Sequence, residues 1–368
     1  MKGLRKKSAS RKKKFDFVII GGGPIGLILA YHLYQKFGRS QSILVLEKRL
    51  DYTRKQILLV TKKSMDALPP AVHKKLFGPG APGCYVLPPS KDNLARCYQK
   101  RLSLASIRTN TLEGILYQYL TSVGITIKRG VKTIEFSDTY PELRASGVRV
   151  QFGVLIGADG ANSVVRQDVL KARFTANSQI KQQAATYGSV FNFDAAPLRP
   201  VNIAASKNIQ RRVATMPPQH VHRYFRGQTG GSYYIGLRVN EQEQKDIVSG
   251  ILPNDVKQRL DKICKSVTKI GVGCHFSNLS HMTAFPIKPK VASRFSCHRP
   301  YPTFLVGDAA ITTHYFTGVG FNGGVQSALV LADLLDKYAG KVPVGEYKTE
   351  MTKLARFAGD KVNEVLEA

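Results

Sequence analysis

The sequence predicts an α/β fold with one nucleotide-binding domain and a second domain made of β-sheet. Three observations support this: a glycine-rich turn between an apolar strand and a helix near the start, two further turns that follow apolar strands, and a strand-rich middle third. The chain has 368 residues, of which 43% are hydrophobic. It is therefore long enough to bury a large core in about two domains.

The first turn, residues 21–26, reads Gly-Gly-Gly-Pro-Ile-Gly. Gly21 permits a sharp turn, and Gly23 lets the backbone approach a pyrophosphate. Gly26 lets the helix pack closely on the strand, and Pro24 suits a first helical turn whose free N–H groups face an anion. The pattern predicts a Rossmann-like dinucleotide site.

A second apolar strand, residues 43–46, ends in Glu47, which lies 21 residues after Gly26. A carboxylate at this place accepts hydrogen bonds from ribose hydroxyls in dinucleotide-binding folds. Glu47 therefore favours a dinucleotide whose adenosine ribose carries no phosphate.

The pattern along the chain predicts the remaining elements of this domain. A helix is expected at 111–123 and a short strand at 125–127, followed by a strand at 148–150, a turn, and another strand at 154–157. Two helices are expected near the end, at 323–338 and from 346 onward. The apolar stripe of the last helix indicates core packing.

The middle of the chain has a different residue pattern. Residues 176–285 are strand-like and rich in turns, with a hairpin expected at 222–239. The predicted division is a disordered basic tail at 1–14, a nucleotide-binding domain at 15–175 and 286–368, and a β-sheet substrate domain at 176–285. Tyr224, Tyr233 and Tyr234 are candidates for the pocket wall, although tyrosines in a sheet are more often packing residues.

The charge of the chain is strongly positive, with 55 Lys and Arg against 25 Asp and Glu. Residues 1–14 contain eight basic residues and no acid, so the tail accounts for only part of the excess. Two interpretations stay open: contact with a polyanion such as nucleic acid, or a solvated basic surface that aids solubility. The tail itself fits a nuclear-targeting signal or a nucleic-acid arm equally well.

The five cysteines are odd in number and have no regular spacing. A disulfide framework is therefore not expected. The cysteines instead indicate a reducing compartment, cytoplasmic or nuclear. No pair has the short spacing of a zinc site, so no metal is predicted. The basic N-terminus passes directly into the first strand without a cleavage-like site, and the glycines and proline of the first turn argue against a membrane span there.

Two further segments complete the pattern. Residues 155–166 read Leu-Ile-Gly-Ala-Asp-Gly-Ala-Asn-Ser-Val-Val-Arg, and residues 304–310 read Phe-Leu-Val-Gly-Asp-Ala-Ala. Together with the first turn, they resemble the three fingerprints of the flavin-dependent monooxygenase family typified by para-hydroxybenzoate hydroxylase. The resemblance spans roughly residues 15 to 340 and implies an FAD-binding domain.

The second and third segments have chemistry that suits this cofactor. Asp159 is expected to hydrogen-bond polar cofactor groups, and Arg166 to meet a pyrophosphate. Asp308, after Gly307 at a strand end, is expected to bind ribityl hydroxyls. The glycine turn at 318–324 then opens a helix whose N-terminal dipole stabilises negative charge on a reduced flavin ring. The cofactor residues predicted in this turn are Gly318, Gly320 and Asn322.

The resemblance also implies roles for the basic residues after Glu47. Lys48, Arg49 and Arg54 are expected to line the cofactor and mobile-flavin region. The stretch from Glu47 to Arg54 is in addition similar to the monooxygenase domain of the MICAL enzymes, which oxidise methionine side chains.

The sequence departs from the family after Ala310. Members commonly have His there and a proline pair before the glycine turn, whereas this chain has Ile311 and then His314-Tyr315-Phe316-Thr317. His314 and Tyr315 are candidate proton donors or substrate contacts, and a histidine packed in a loop is an equally good interpretation. The departure puts aromatic hydroxylation, though not FAD binding, in question.

The function that the resemblance implies is an NAD(P)H-dependent monooxygenase. Reduced FAD would react with O₂ to a flavin hydroperoxide, which inserts one oxygen into a small-molecule or side-chain substrate. Two alternatives stay open: a reductase of the same fold, and a basic FAD-containing structural protein that associates with a polyanion and turns over little. A flavin halogenase is disfavoured, because its tryptophan motif cannot exist in a chain without Trp.

Overall fold

The computed structural model describes residues 13–54, 56–77, 85–87, 104–180, 186–195, 220–226, 231–268, 275–313 and 318–366. The α-helices in these ranges, numbered in chain order, are α1 (Pro24–Phe37), α2 (Lys62–Asp66), α3 (Pro70–Phe77), α4 (Thr109–Ser122), α5 (Glu241–Val248), α6 (Asn254–Thr268), α7 (Val319–Lys337) and α8 (Val344–Leu366).

The first nine strands are β1 (Lys13–Ile20), β2 (Ile43–Leu46), β3 (Ile57–Thr61), β4 (Tyr85–Leu87), β5 (Leu104–Arg108), β6 (Thr126–Lys128), β7 (Ile134–Phe136), β8 (Glu142–Ala145) and β9 (Val148–Gly157). The later strands are β10 (Phe174–Ala176), β11 (Thr186–Ala195), β12 (His220–Arg226), β13 (Gly231–Val239), β14 (Leu279–Ile287), β15 (Lys290–Ala292), β16 (Ser296–Cys297), β17 (Thr303–Leu305) and β18 (Ile311–Thr312).

The largest sheet has the order β16-β17-β9-β1-β2-β6, and its neighbours from β17 to β6 run parallel. Its central strands are almost wholly apolar: all four residues of β2 are buried, and so are the last four of β1. Such continuous apolar runs are typical of parallel strands that are covered on both faces. Helix α1 packs against α4 and α7.

A second sheet, with the order β12-β13-β11-β14, is antiparallel throughout. It has its own apolar cluster, in which Phe191, Ile235 and Leu237 pack with Val256 and Leu260 of α6. Strand β12 lies against β3 and β5, which belong to a three-stranded sheet of order β3-β5-β4. A further small sheet has the order β10-β15-β18.

The mixed α/β fold is the one that the sequence predicts, with some differences at element ends. Strand β1 begins at Lys13, inside the segment assigned to the tail. The two strands expected at 148–150 and 154–157 are one continuous strand, β9, because Gly153 lets it pass close to β1: a Cβ atom there would lie 2.9 Å from the Asp16 carbonyl oxygen. Helix α7 begins at Val319, four residues before the predicted start.

Candidate active site

The three glycine segments meet at one edge of the parallel sheet. Glu47 follows β2, Gly21 follows β1, Asp159 follows β9 and Asp308 follows β17, and these four strands are neighbours. The carboxyl ends of parallel strands lie at the same edge, where open α/β sheets bind their ligands. Backbone hydrogen bonds join the segments there, from Gly21 N to the Leu46 oxygen at 2.8 Å and from Ala158 N to the Ile20 oxygen at 2.7 Å.

The turn at residues 21–26 is too tight for side chains at two positions. Gly21 has φ +106°, and a Cβ atom there would lie 2.3 Å from the Ala158 carbonyl oxygen. A Cβ atom at Gly26 would lie 2.0 Å from the Gly21 carbonyl oxygen. Helix α1 then begins with Pro24, and no side chain caps its N-terminus. This bare helix start is open to an anion.

Glu47 lies beside this turn and is 2% exposed. Its Oε2 accepts a hydrogen bond from Gly22 N at 2.8 Å, and its Oε1 accepts from Arg49 N at 2.9 Å and Arg49 Nε at 3.0 Å. Burial alone would raise the pKa of this carboxyl, but the hydrogen bonds and the charge of Arg49 lower it overall. Glu47 is thus a fixed negative charge, and its contact with a ribose stays a prediction.

Arg49 and Arg54 meet at a buried acid that the sequence analysis missed. Glu113 on α4 accepts at Oε1 from Arg54 Nη2 at 2.8 Å and from Arg49 Nη2 at 3.4 Å. Both guanidinium groups lie over Gly23, where a Cβ atom would be 3.0 Å from Arg54 Nη2 and 3.9 Å from Arg49 Nη2. The face of Gly23 that a pyrophosphate would approach is therefore lined by guanidinium N–H donors, whose charge Glu47 and Glu113 balance. Lys48 is exposed and forms no ion pair within the described residues.

Asp159 caps the turn that follows β9. Its Oδ2 accepts from Val164 N at 2.7 Å, and its Oδ1 has no hydrogen-bond partner among the described residues. Desolvation raises the pKa of this carboxyl, against hydrogen bonds from Ser163 and the turn. Oδ1 is a buried acceptor, and the contact of Asp159 with a cofactor stays a prediction.

Arg166 is buried and binds the protein itself. Its Nη1 donates to the Ala309 oxygen at 3.2 Å and its Nη2 to the Ala161 oxygen at 2.9 Å, while its guanidinium stacks 3.6 Å from the Phe174 ring centroid. Arg166 thereby joins the second glycine segment to the third. Its contact with a pyrophosphate stays a prediction, and these contacts give it a structural role.

The third segment lies on the other side of the turn. Asp308 is exposed at this edge of the sheet, yet the surrounding protein desolvates its carboxyl and raises its pKa, and the charge of Arg54 opposes this shift. Asp308 therefore lies within electrostatic reach of Arg54. Gly307 N donates to Ser327 Oγ at 2.9 Å, which ties this turn to α7.

The N-terminus of α7 borders a cavity of about 350 Å³. Gly318 is the N-cap residue of this helix, and Gly320, Thr61 and Thr313 line the cavity together with Phe357 of α8. The lining is mostly apolar, and the dipole of α7 gives the end of the cavity at its N-terminus a positive potential.

The side chain of Asn322 forms hydrogen bonds within the protein beside this cavity. Its Oδ1 accepts from Thr61 N at 3.0 Å, and its Nδ2 donates to the Leu59 oxygen at 2.9 Å and the Gly318 oxygen at 2.8 Å. The side chain therefore holds the end of β3 against the start of α7. A direct contact of Asn322 with the cofactor stays a prediction.

Some predicted residues cannot be assessed. His314 and Tyr315 lie outside the described residues, as do the side chains of Tyr224, Tyr233 and Tyr234. Among the described residues, no cluster of three or more His, Cys, Asp or Glu side chains is arranged to hold a metal ion. No helix in the described ranges is long and apolar enough to cross a membrane.

The residues present fit a flavin dinucleotide. The turn at 21–26 excludes side chains where backbone must approach a ligand, and two arginines face the outer side of Gly23. Asp159 Oδ1 is an acceptor without a partner among the described residues, and Asp308 offers a second acceptor beside an apolar cavity. These are the donor and acceptor types that phosphates, sugar hydroxyls and a flat ring require.

Comparison with known proteins agrees with this geometry. Residues 98–352 match the family described as "FAD binding domain". Kynurenine 3-monooxygenase of Neurospora crassa is 25% identical over 234 residues, which cover 58% of this chain and 42% of that protein. The match thus spans less than half the length of this curated relative.

Solved structures share the fold. PqsL from Pseudomonas aeruginosa in complex with 2-aminobenzoylacetate superposes with a TM-score of 0.68 at 16% identity, covering 97% of this chain and 100% of that one. The p-nitrophenol 4-monooxygenase PnpA of Pseudomonas putida has a TM-score of 0.57 at 15% identity, with 96% and 86% covered. OxyS anhydrotetracycline hydroxylase of Streptomyces rimosus has a TM-score of 0.61 at 18% identity, with 95% and 69% covered.

Proposed function

Because the chain belongs to the FAD-binding domain family of para-hydroxybenzoate hydroxylase-like flavoproteins, we propose that it is an NAD(P)H-dependent monooxygenase. The observation that carries the proposal is the meeting of Gly21, Asp159 and Asp308 at the carboxyl ends of three neighbouring strands. One extended ligand that passes along this edge would touch all three segments.

The residues at this sheet edge would each hold a different part of FAD. The bare start of α1, with Arg49 and Arg54 above Gly23, would bind the pyrophosphate. Asp308 would accept hydrogen bonds from ribityl hydroxyls. The start of α7 would lie beside the flavin ring, where its positive end stabilises negative charge.

When bound, FAD would supply the redox chemistry of hydride acceptance from NAD(P)H and of O₂ activation. The protein's own part is to orient the ring and to keep water from it. The apolar lining of the 350 Å³ cavity suits the exclusion of water. The sheet of β11 to β14 is the proposed roof of the substrate pocket, since β12 lies against β3 and β5.

The proposed substrate class is taken from the relatives. One relative is named for kynurenine and one structure holds 2-aminobenzoylacetate, and both are small aromatic ketones. A small aromatic molecule also suits an apolar pocket.

Oxygen dependence tests the proposal. FAD-loaded protein is mixed with NADH or NADPH and with kynurenine or 2-aminobenzoylacetate, in air and without oxygen. A monooxygenase consumes O₂ in step with NAD(P)H and incorporates one atom of isotopically labelled O₂ into the product. Product formation that continues without oxygen would instead identify a reductase of the same fold. No NAD(P)H oxidation in either atmosphere would favour the structural alternative.

A further inference from the structure

Glu113 is a buried acid with no part in the function proposed above. It is fully buried on α4, between Leu112 and Leu116 of the apolar core. Its Oε1 accepts from Arg54 and Arg49, while its Oε2 has no hydrogen-bond partner among the described residues. A buried carboxylate oxygen without a partner is costly, and such groups are often retained for a function.

The position of Glu113 indicates what that function is. A Cβ atom at Gly23 would lie 3.8 Å from Glu113 Oε1 and 3.0 Å from Arg54 Nη2. Glu113 thus holds both guanidinium groups at the face of the turn where the pyrophosphate would bind. In the free protein it occupies donors that the phosphates need.

The charged and titratable groups around Glu113 make its ionisation sensitive to an added anion. They are Arg49 and Arg54, which stabilise the carboxylate, Glu47, which opposes it, and the hydroxyl of Tyr52. Desolvation already raises the pKa of Glu113 above its ordinary range, and the two arginines limit the shift. A pyrophosphate that engages the arginines removes this limit and adds negative charge nearby.

We propose that Glu113 positions Arg49 and Arg54 in the free protein and takes up one proton from solvent when the pyrophosphate of FAD engages them. The carboxylate Glu113 becomes a neutral carboxylic acid, and no other bond forms or breaks. The inference rests on the proposed FAD site, but it concerns binding alone and does not depend on turnover.

Titration calorimetry tests the inference. FAD is added to the flavin-free protein at one pH in two buffers of different ionisation enthalpy, and the difference in heat gives the number of protons taken up. We expect net uptake, and Kd for FAD that rises by up to about tenfold per pH unit between the free-state and bound-state pKa of Glu113.

Glu113→Gln keeps the acceptor oxygen for the arginines and cannot titrate. We expect this variant to bind FAD without the proton uptake and with a Kd that no longer rises with pH in that interval. Glu243→Gln is the matched control, because Glu243 pairs with Arg259 of helix α6, which packs against the second sheet. It should retain the wild-type uptake and pH profile.

The outcomes separate the two proposals. FAD binding by wild type without proton uptake and with a pH-independent Kd overturns the role of Glu113 and leaves the FAD site intact. Equal uptake in Glu113→Gln and wild type also overturns it. If the variant does not fold, the wild-type pH profile alone decides. Failure of wild type to bind FAD overturns both proposals.

Discussion

A substitution at Gly23 is expected to change ligand binding without changing the stability of the fold. A Cβ atom there would meet the end of the Arg54 side chain, which can move, and its backbone has φ −73°, which alanine adopts readily. We expect Gly23→Ala to weaken FAD binding about tenfold or more, because the methyl group occupies the approach of the pyrophosphate, with little change in Tm.

Gly114→Ala on α4 is the control for this prediction. No atom lies within 4 Å of the added Cβ, and alanine favours a helix by about 1 kcal/mol over glycine. This variant should have a higher Tm and unchanged FAD affinity. If Gly23→Ala binds FAD as wild type does, the pyrophosphate does not lie over Gly23.

The ionised side chain of Asp308 is expected to destabilise the flavin-free fold and to strengthen FAD binding. Desolvation by the surrounding protein raises the pKa of its carboxyl despite the charge of Arg54, so the ionised form destabilises the free fold, though only slightly because the residue is exposed. Asp308→Asn should therefore raise the Tm of the flavin-free protein near neutral pH. The gain should vanish as the pH falls below about 4, where the carboxyl is protonated in both the folded and unfolded states.

The same variant should bind FAD more weakly, by about tenfold, because an amide accepts hydrogen bonds from ribityl hydroxyls less strongly than a carboxylate. Thermal denaturation over a pH series and fluorescence titration with FAD measure the two effects. A lower Tm together with unchanged affinity would show that Asp308 is a structural residue.

Prediction from sequence at this scale succeeds where a residue's place is fixed by a local turn. The glycines of 21–26, Glu47 and Asp308 follow strands at short, regular distances, so their meeting at one sheet edge was foreseeable. Glu113 was not, because its partners Arg49 and Arg54 lie about sixty residues earlier in the chain. The sequence signal for Glu113 is an acidic residue next to the apolar face of helix α4.

At the scale of secondary-structure elements, helix α8 packs against the strand that leads to Asp308. Tyr347 is fully buried, packs edge-on against Phe304 of β17, and donates its hydroxyl proton to the Leu305 oxygen at 2.6 Å. Because β17 leads directly into the Gly307–Asp308 turn, α8 fixes the strand that presents Asp308.

Tyr347→Phe should lower the free energy of unfolding by about 1 kcal/mol, since the Leu305 oxygen loses a buried donor. Tyr140→Phe is the control, because Tyr140 is 71% exposed and its change should stay within about 0.5 kcal/mol. Urea denaturation measures both. Equal stability of the two variants would mean that this hydrogen bond contributes nothing net.

Most elements follow from periodicity, while their ends depend on contacts across the fold. Helix α4 was expected at 111–123 and spans Thr109–Ser122, because its apolar face was plain in the sequence. The start of α7 was missed because glycine disfavours helix, and the hydrogen bonds of Asn322 to Leu59 and Thr61 that hold this start come from β3.

For the whole molecule, the net charge of +30 exceeds what a dinucleotide requires. Association with a polyanion through the basic tail stays a hypothesis, since the family assignment concerns FAD alone. If it holds, binding to nucleic acid should fall steeply with rising salt, whereas an exposed basic surface without a partner gives no binding at moderate salt.

The proposed function depends on three distant backbone segments forming one FAD site. The most direct measurement is the visible spectrum of the purified protein with added FAD, followed by NAD(P)H in air. We expect a bound yellow flavin that bleaches on reduction and recovers its colour as oxygen reoxidises it. A colourless protein that fails to bind FAD at micromolar concentrations would contradict it.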